Sequence, residues 1–209
     1  MNPYNTEAGS LARWRAACVA LAFAMVFVPS VLATPPAQAQ TYKEKVLYRF
    51  TGTGGDGDSP DAGLVGDAAG NLYGTTSGGG LAGWGTVFKL DPTGKETLLY
   101  SFTGGTDGGD PEAGLVRDAN GNFYGATLSG GDSRCNAAHG CGVVFKLTPN
   151  MDGSWTEKVL HRFTGGADGE YPSAGLTLDK AGSLYGTTSQ GGVNRCYLTP
   201  SPALHRRDA

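Results

Sequence analysis

The run Ala62-Gly63-Leu64-Val65-Gly66-Asp67 returns as Ala113-Gly114-Leu115-Val116-Arg117-Asp118 and again as Ala174-Gly175-Leu176-Thr177-Leu178-Asp179, at offsets of 51 and 61 residues. A second stretch follows each copy: Gly70-Asn71-Leu72-Tyr73-Gly74-Thr75-Thr76, Gly121 to Thr127, and Gly182 to Thr188. A third, Gly85-Thr86-Val87-Phe88-Lys89-Leu90, is matched by Gly142 to Leu147. A fourth, Leu98 to Thr103, is matched by Val159 to Thr164 and, ahead of the first full unit, by Val46 to Thr51. A repeat of this length has to be recognised before any local reading, because each unit is one piece of supersecondary structure that needs neighbours to bury its apolar faces.

Each stretch reads as a short strand. They are rich in Leu, Val, Tyr, Phe and Thr and are bounded by Gly, Asp, Asn and Pro. In the fourth stretch the alternation places Val46, Tyr48 and Phe50 on one face and Leu47 and Arg49 on the other. Between the first two strands of each unit lies Asp-x-x-Gly. Gly70, Gly121 and Gly182 supply the positive φ of a tight hairpin. Asp67, Asp118 and Asp179 are read as turn residues accepting backbone N–H groups. No segment carries a 3.6-residue apolar period, so no helix is expected after residue 39. Four short strands in roughly 50 residues describe a propeller blade. The fold class expected is all-β: tandem four-stranded antiparallel blades, propeller-like, with the glycine-rich first strand innermost.

The motif Gly-Leu-Val-x-Asp-x-x-Gly-Asn-Leu-Tyr-Gly-Thr-Thr, followed by Gly-Thr-Val-Phe-Lys-Leu, resembles the GloVer tandem repeat of exported bacterial proteins, from about Lys45 to Cys196. The resemblance implies an exported, surface-associated repeat protein. It brings no defined catalytic residues.

Export is also read directly. Arg13 and Arg15 precede an apolar run from Ala16 to Val28, Pro29 breaks it, and Ala37-Gln38-Ala39 follows. This is the order of a secretory signal peptide over residues 1–39, with cleavage after Ala39. Cys18 is misplaced for a lipobox. Removing Arg13, Arg15 and Glu7 changes the net charge from −3 to −4. That mild acidity, without a basic run, argues against a nucleic-acid surface. Past the leader, no apolar run approaches a membrane span.

The repeat domain is placed at residues 40–196, with units at about 62–103, 113–164 and 174–196. The third unit has only two of its strands. After Cys196 the match stops abruptly, and residues 197–209 hold no Val-Phe-Lys-Leu strand. A frameshift or premature end near codon 196 is the expectation. A closed propeller needs at least about four blades. Open sheet edges, and self-association through them, are therefore expected.

Cys135 and Cys141 are expected to form a disulfide across a short inserted loop. Cys196 aligns with Cys135 and is left odd. The rival for this loop is a zinc site from Cys135, His139 and Cys141, with spacing poor for zinc and three ligands only. The acidic turns Asp56-Gly57-Asp58-Ser59-Pro60-Asp61 and Asp107-Gly108-Gly109-Asp110-Pro111-Glu112 could offer calcium oxygens through Asp56, Asp58, Asp61, Asp107, Asp110 and Glu112, although none has EF-hand spacing. A solvated connector between blades is the simpler reading. The formal GxGxxG at Gly52 to Gly57 lacks the strand and helix that a dinucleotide site requires.

His161 takes the place of Tyr48 and Tyr100, a packing position, and no Gly-x-Ser-x-Gly elbow is present. Trp84, Trp155, Tyr73, Tyr124 and Tyr185 could stack on sugars, yet at repeat positions the tyrosines read as blade core. No catalytic residue and no cofactor beyond calcium is nominated. The function expected is a non-enzymatic binding or structural module, with a glycan or a cell-surface component as the ligand class considered. The alternative is a secreted polysaccharide-active propeller enzyme, lyase or hydrolase, or a fragment of one.

Overall fold

The structure is a computed structural model and describes residues 43–136 and 138–192. The expected signal peptide, its cleavage site, Cys196 and the segment 197–209 lie outside the described residues. The chain divides into two units, Met1–Lys43 and Glu44–Ala209, and every element below belongs to the second.

The strands are β1 (Gly57–Asp58), β2 (Val65–Gly66), β3 (Leu72–Thr76), β4 (Gly78–Gly79), β5 (Thr86–Leu90), β6 (Glu96–Ser101), β7 (Val116–Arg117), β8 (Phe123–Thr127), β9 (Val143–Pro149), β10 (Trp155–Arg162), β11 (Thr177–Leu178) and β12 (Leu184–Tyr185). Two four-stranded antiparallel sheets run in order β2-β3-β5-β6 and β7-β8-β9-β10. β11 pairs with β12, and β1 with β4. These are two complete blades and the first half of a third. Among the described residues no helix is long and apolar enough to cross a membrane.

The blades are held by what lies between them. Tyr73, Val87, Phe102, Leu115, Phe123, Val143, Phe145 and Leu147 form one buried cluster shared by the first two blades. Tyr124, Cys141, Val144, Phe163 and Leu176 form the next, shared with the third. Because β8 is covered on both sides, all five of its residues are buried and the usual alternation disappears. The aromatic contacts repeat. Phe50 meets Phe88 edge-on at 4.8 Å, and Phe102 meets Phe145 at 5.1 Å. Tyr73 packs on Phe123 at 4.5 Å.

One glycine per blade makes this packing possible. A Cβ on Gly125 would lie 2.6 Å from Cζ of Phe145 and 3.0 Å from Cδ2 of Leu115. On Gly74 it would lie 2.8 Å from Cζ of Phe88 and 2.6 Å from Cδ2 of Leu64. The bare backbone lets an aromatic and a leucine close over the sheet.

Three expectations are corrected. Val46 to Phe50 is not part of a paired strand; it is held by side-chain packing, Phe50 on Phe88, without a sheet ladder. The first strand of each unit shrinks to two residues, because Ala-Gly-Leu ahead of it forms no ladder with the second strand. The alternation of the fourth stretch breaks at a bulge: Tyr100 faces Val87 and Leu98 faces Phe88, so Leu99 is left over, and Leu160 repeats this in β10. A three-residue 3₁₀ turn, Gly166–Asp168, shapes the third connector, and no α-helix occurs among the described residues.

Candidate functional site: the connector rim and the inter-blade carboxylate

A meander places its turns at two opposite ends. At one end lie the hairpins of Asp67, Asp118 and Asp179. Oδ1 of Asp67 accepts the N–H groups of Ala69 and Asn71, and Oδ2 accepts Nδ2 of Asn71 and the phenol of Tyr73 at 2.9 Å. Asp118 does the same with Asn120, Asn122 and Tyr124. Asp179 does so with Ala181, Ser183 and Tyr185. Gly70, Gly121 and Gly182 hold φ of 83°, 85° and 85°. The amide of Asn71, ahead of the other donors, brings the Asp67 carboxyl down to about 2. Asp118 and Asp179 are lowered by the same kind of donors, against the opposing pull of desolvation.

At the other end lie the connectors between blades. In each, an aspartate clasps the threonine one residue past Phe50, Phe102 or Phe163. Oδ2 of Asp56 accepts the N–H of Thr51 at 2.7 Å and its hydroxyl at 2.8 Å. Asp107 accepts both groups of Thr103, and Asp168 both groups of Thr164. Three residues past this aspartate the backbone turns left-handed without glycine: Ser59 at φ 58°, Asp110 at 52° and Tyr171 at 57°. Each precedes a proline. Each offers its carbonyl to the segment that follows the second strand of the unit, to the N–H groups of Ser77, Leu128 and Ser189. The segment Gly52 to Gly57 closes on itself through the Gly52 N–H to the Gly57 carbonyl, as a turn.

The six calcium candidates are spread along this rim. Asp56 and Asp107 spend carboxylate oxygens on the clasps, Asp110 accepts the Ser129 hydroxyl at 2.6 Å, and Asp61 faces the Ser77 hydroxyl at 3.4 Å. Asp58 and Glu112 are exposed. Among the described residues, the His, Cys, Asp and Glu side chains that converge in a group of three are Cys135, Cys141 and Glu170, not these six. Cys135 and Cys141 are joined as a disulfide, with Oε2 of Glu170 3.3 Å from Sγ of Cys141. His139 is exposed and outside that group.

The aromatic candidates divide. Tyr73 and Tyr124 are buried, Trp155 lies 5.6 Å from the Phe123 ring, and Trp84 fills the space over Gly104 and Gly109. Tyr185 is exposed. His161 stands edge-on to Phe163 at 4.8 Å, as Tyr100 does to Phe102 at 5.0 Å, and its Nε2 lies 3.2 Å from Asp168.

One group was missed by sequence reasoning. Glu157, on β10, has Oε1 buried without a hydrogen-bond partner among the described residues. Burial, and then the field of Asp107 from the neighbouring connector, push its carboxyl up to about 7 against the pull of Arg162. Tyr100, hydrogen-bonded to Asp107 at 3.0 Å, is raised by burial and by both carboxylates. The preceding blade repeats the theme: Glu96 is raised by burial and by Asp56, and Tyr48 by burial, Asp56 and Glu96. The signal was present. Glu44, Glu96 and Glu157 each stand six residues before Phe50, Phe102 and Phe163.

The repeat seen in both sequence and structure is matched by a family model. The Gloeobacter/Verrucomicrobia repeat matches residues 33–197. The chain belongs to that family. The Gloeobacter/Verrucomicrobia repeat therefore covers every strand described above. No curated protein matches the chain. Among solved structures, an X-ray structure provisionally named a gluconolactonase aligns with a TM-score of 0.40 at 17% identity, over 60% of this chain. This chain spans 40% of that protein's length.

Proposed function

We propose that this chain is an exported repeat module, secreted or held at the cell surface, that acts by binding or by structure and not by catalysis. The observation that carries the reading is the equivalence of its polar groups. Asp67, Asp118 and Asp179 share one role, and Asp56, Asp107 and Asp168 another, and in each case the carboxylate oxygens are committed to holding a turn. A reaction centre concentrates distinct groups in one place. Here the same groups recur blade by blade. The leader-like order of residues 13–39 supports export, and the Cys135–Cys141 disulfide fits an oxidising compartment. The ligand class that suits this acidic, glycine-rich rim is a neutral or cationic surface glycan.

A second reading has one observation in its favour. Glu157 is a half-buried carboxyl raised to about 7 by burial and by the field of Asp107, the direction in which a glycoside-cleaving general acid is tuned. A glycan array read together with reducing-sugar release separates the two. Binding without turnover supports the module. Turnover that Glu157→Gln abolishes supports the enzyme.

A further inference from the structure

The two complete blades differ most at one place. The residue two positions ahead of the third strand is Trp84 in the first blade and Cys141 in the second. Both hold the same backbone role. The Asp110 N–H donates to the Trp84 carbonyl at 3.0 Å, and the Tyr171 N–H to the Cys141 carbonyl at 3.0 Å. In the first blade the indole covers the next connector. A Cβ on Gly104 would lie 2.4 Å from its Cδ2, and one on Gly109 2.9 Å from its Cε3, so neither place admits a side chain. In the second blade sulfur covers the connector instead. A Cβ on Gly165, the counterpart of Gly104, would lie 2.8 Å from Sγ of Cys135. The counterpart of Gly109 is Glu170. The smaller sulfurs leave room for its side chain, which turns onto them: Oε2 lies 3.3 Å from Sγ of Cys141 and 3.9 Å from Sγ of Cys135.

Two sulfurs and a carboxylate oxygen thus converge within 4.8 Å of one another, with Cys141 buried and the other two half-buried. The disulfide spends both sulfurs, and reduction frees them. The S–S bond takes two electrons and two protons, and two thiols result. A thiol reductant leaves as its own disulfide, and a phosphine leaves as its oxide, with the oxygen of a water. Thiolate sulfur with carboxylate oxygen is a donor set that zinc accepts, at about 2.3 Å and about 2.1 Å. Tetrahedral bonds of those lengths set sulfur and oxygen about 3.6 Å apart and the two sulfurs about 3.8 Å apart. The sulfur–oxygen separations of 3.3 and 3.9 Å bracket the first value. Only the sulfurs have to part, and Cα atoms 5.9 Å apart allow that by side-chain rotation. Water would complete the fourth position, as in other zinc sites with three protein ligands.

The frame around these donors does not rest on the disulfide. The Tyr171 N–H holds Cys141, and Nδ2 of Asn136, next to Cys135, donates to the Tyr171 phenol oxygen at 2.8 Å. The backbone of Glu170 exchanges two hydrogen bonds with Gln190. His139, the third ligand that spacing in the sequence would choose, is exposed and outside the cluster.

We propose that Cys135, Cys141 and Glu170 form a redox-gated zinc site between the second blade and the connector to the third. The reduced pair binds one zinc ion together with Glu170, each thiol passing its proton to water. A disulfide oxidant, by accepting two electrons, closes the pair again and expels the metal. The site does not depend on the binding or catalytic reading of the rim.

The test uses the full chain carrying Cys18→Ser and Cys196→Ser, which leaves Cys135 and Cys141 as its cysteines. The chain is reduced with a phosphine, freed of it without air, and titrated with zinc alone by calorimetry. Cobalt(II) then replaces zinc for absorption spectroscopy. One zinc should bind per chain, and cobalt should show thiolate charge-transfer bands with the d–d bands of a tetrahedral site. The oxidised chain should show neither. Glu170→Gln should weaken zinc binding by at least about tenfold, the scale on which even groups that only support a ligand act. His139→Ala should leave it unchanged. Far-UV circular dichroism of the reduced, metal-free chain should match that of the oxidised one, and loss of the strands on reduction would overturn the preformed frame and the proposal with it. So would the absence of zinc binding, equal binding by the oxidised chain, a Glu170→Gln variant that binds as tightly as its parent, or cobalt bands that vanish with His139→Ala.

Discussion

Phe102 meets Phe145 edge-on, with ring centroids 5.1 Å apart and planes at 65°, across the gap between two blades. Phe50 and Phe88 stand in the same relation one repeat earlier, at 4.8 Å and 64°. Each phenylalanine thus belongs to one blade and is buried by the next, which makes the blades a linear series of mutual supports. Phe102 and Phe145 are fully buried. Phe102→Ala is expected to cost about 3–5 kcal/mol, and Phe102→Leu clearly less. Urea unfolding read by tryptophan fluorescence measures both, and equal losses for the two variants would contradict the packing argument.

The hairpin carboxylates make the fold acid-sensitive. The Asp67 carboxyl falls from 3.8 to about 2 in the folded chain, and Asp118 and Asp179 shift the same way. A depressed carboxyl stabilises the fold above its unfolded value, and that stabilisation disappears as pH falls through the folded one. Stability should therefore decline between pH 4 and about 2. Asp67→Asn should flatten part of that decline while lowering stability at pH 7. Thermal melts from pH 2 to 7 check both.

Glu157 works in the opposite sense. Its carboxyl rises from 4.5 to about 7, so the folded chain holds a proton that the unfolded chain has released. Its stabilising form is fully present below pH 4.5 and is lost as pH rises through about 7. Glu157→Gln removes this dependence. The variant should melt a few degrees, about 2–5 °C, above the wild type at pH 8. The gap should close by pH 5. A gap that does not change with pH would mean that the carboxyl ionises normally.

The disulfide has a smaller role. Cys135 and Cys141 are six residues apart. Closing so short a loop stabilises by about 2 kcal/mol in the chain-entropy model. Paired Cys135→Ser and Cys141→Ser should lower stability by that much and leave the far-UV circular dichroism unchanged, because both residues lie outside the strands. Limited proteolysis should then cut between them.

The legible part of this fold was the part carried by local chemistry. Asp67 with Gly70, and the apolar run Thr86 to Leu90, announce a turn and a strand without reference to anything distant. The spacing of the repeats then supplied the sheet order. What escaped notice depends on neighbours in space. The bulge at Leu99 leaves no mark in an otherwise alternating run. Val46 to Phe50 has the composition of a strand but forms no ladder among the described residues. Glu157 reads as a surface residue on an outer strand until the connector from the preceding blade brings Asp107 toward it. The recurrence of Glu96 and Glu157 was visible. Its meaning required knowing that β6 and β10 are neighbours.

Ser59, Asp110 and Tyr171 share a left-handed backbone that L-residues rarely adopt, and they share little else. A hydroxyl, a carboxylate and a phenol occupy one structural address, because what the three turns share is a carbonyl direction, while each side chain finds its own surroundings. Such a position accepts varied side chains, with β-branched residues and proline the ones its left-handed backbone disfavours. Chains built from this repeat can therefore diversify what they present at each connector one residue at a time, while the scaffold beneath stays constant.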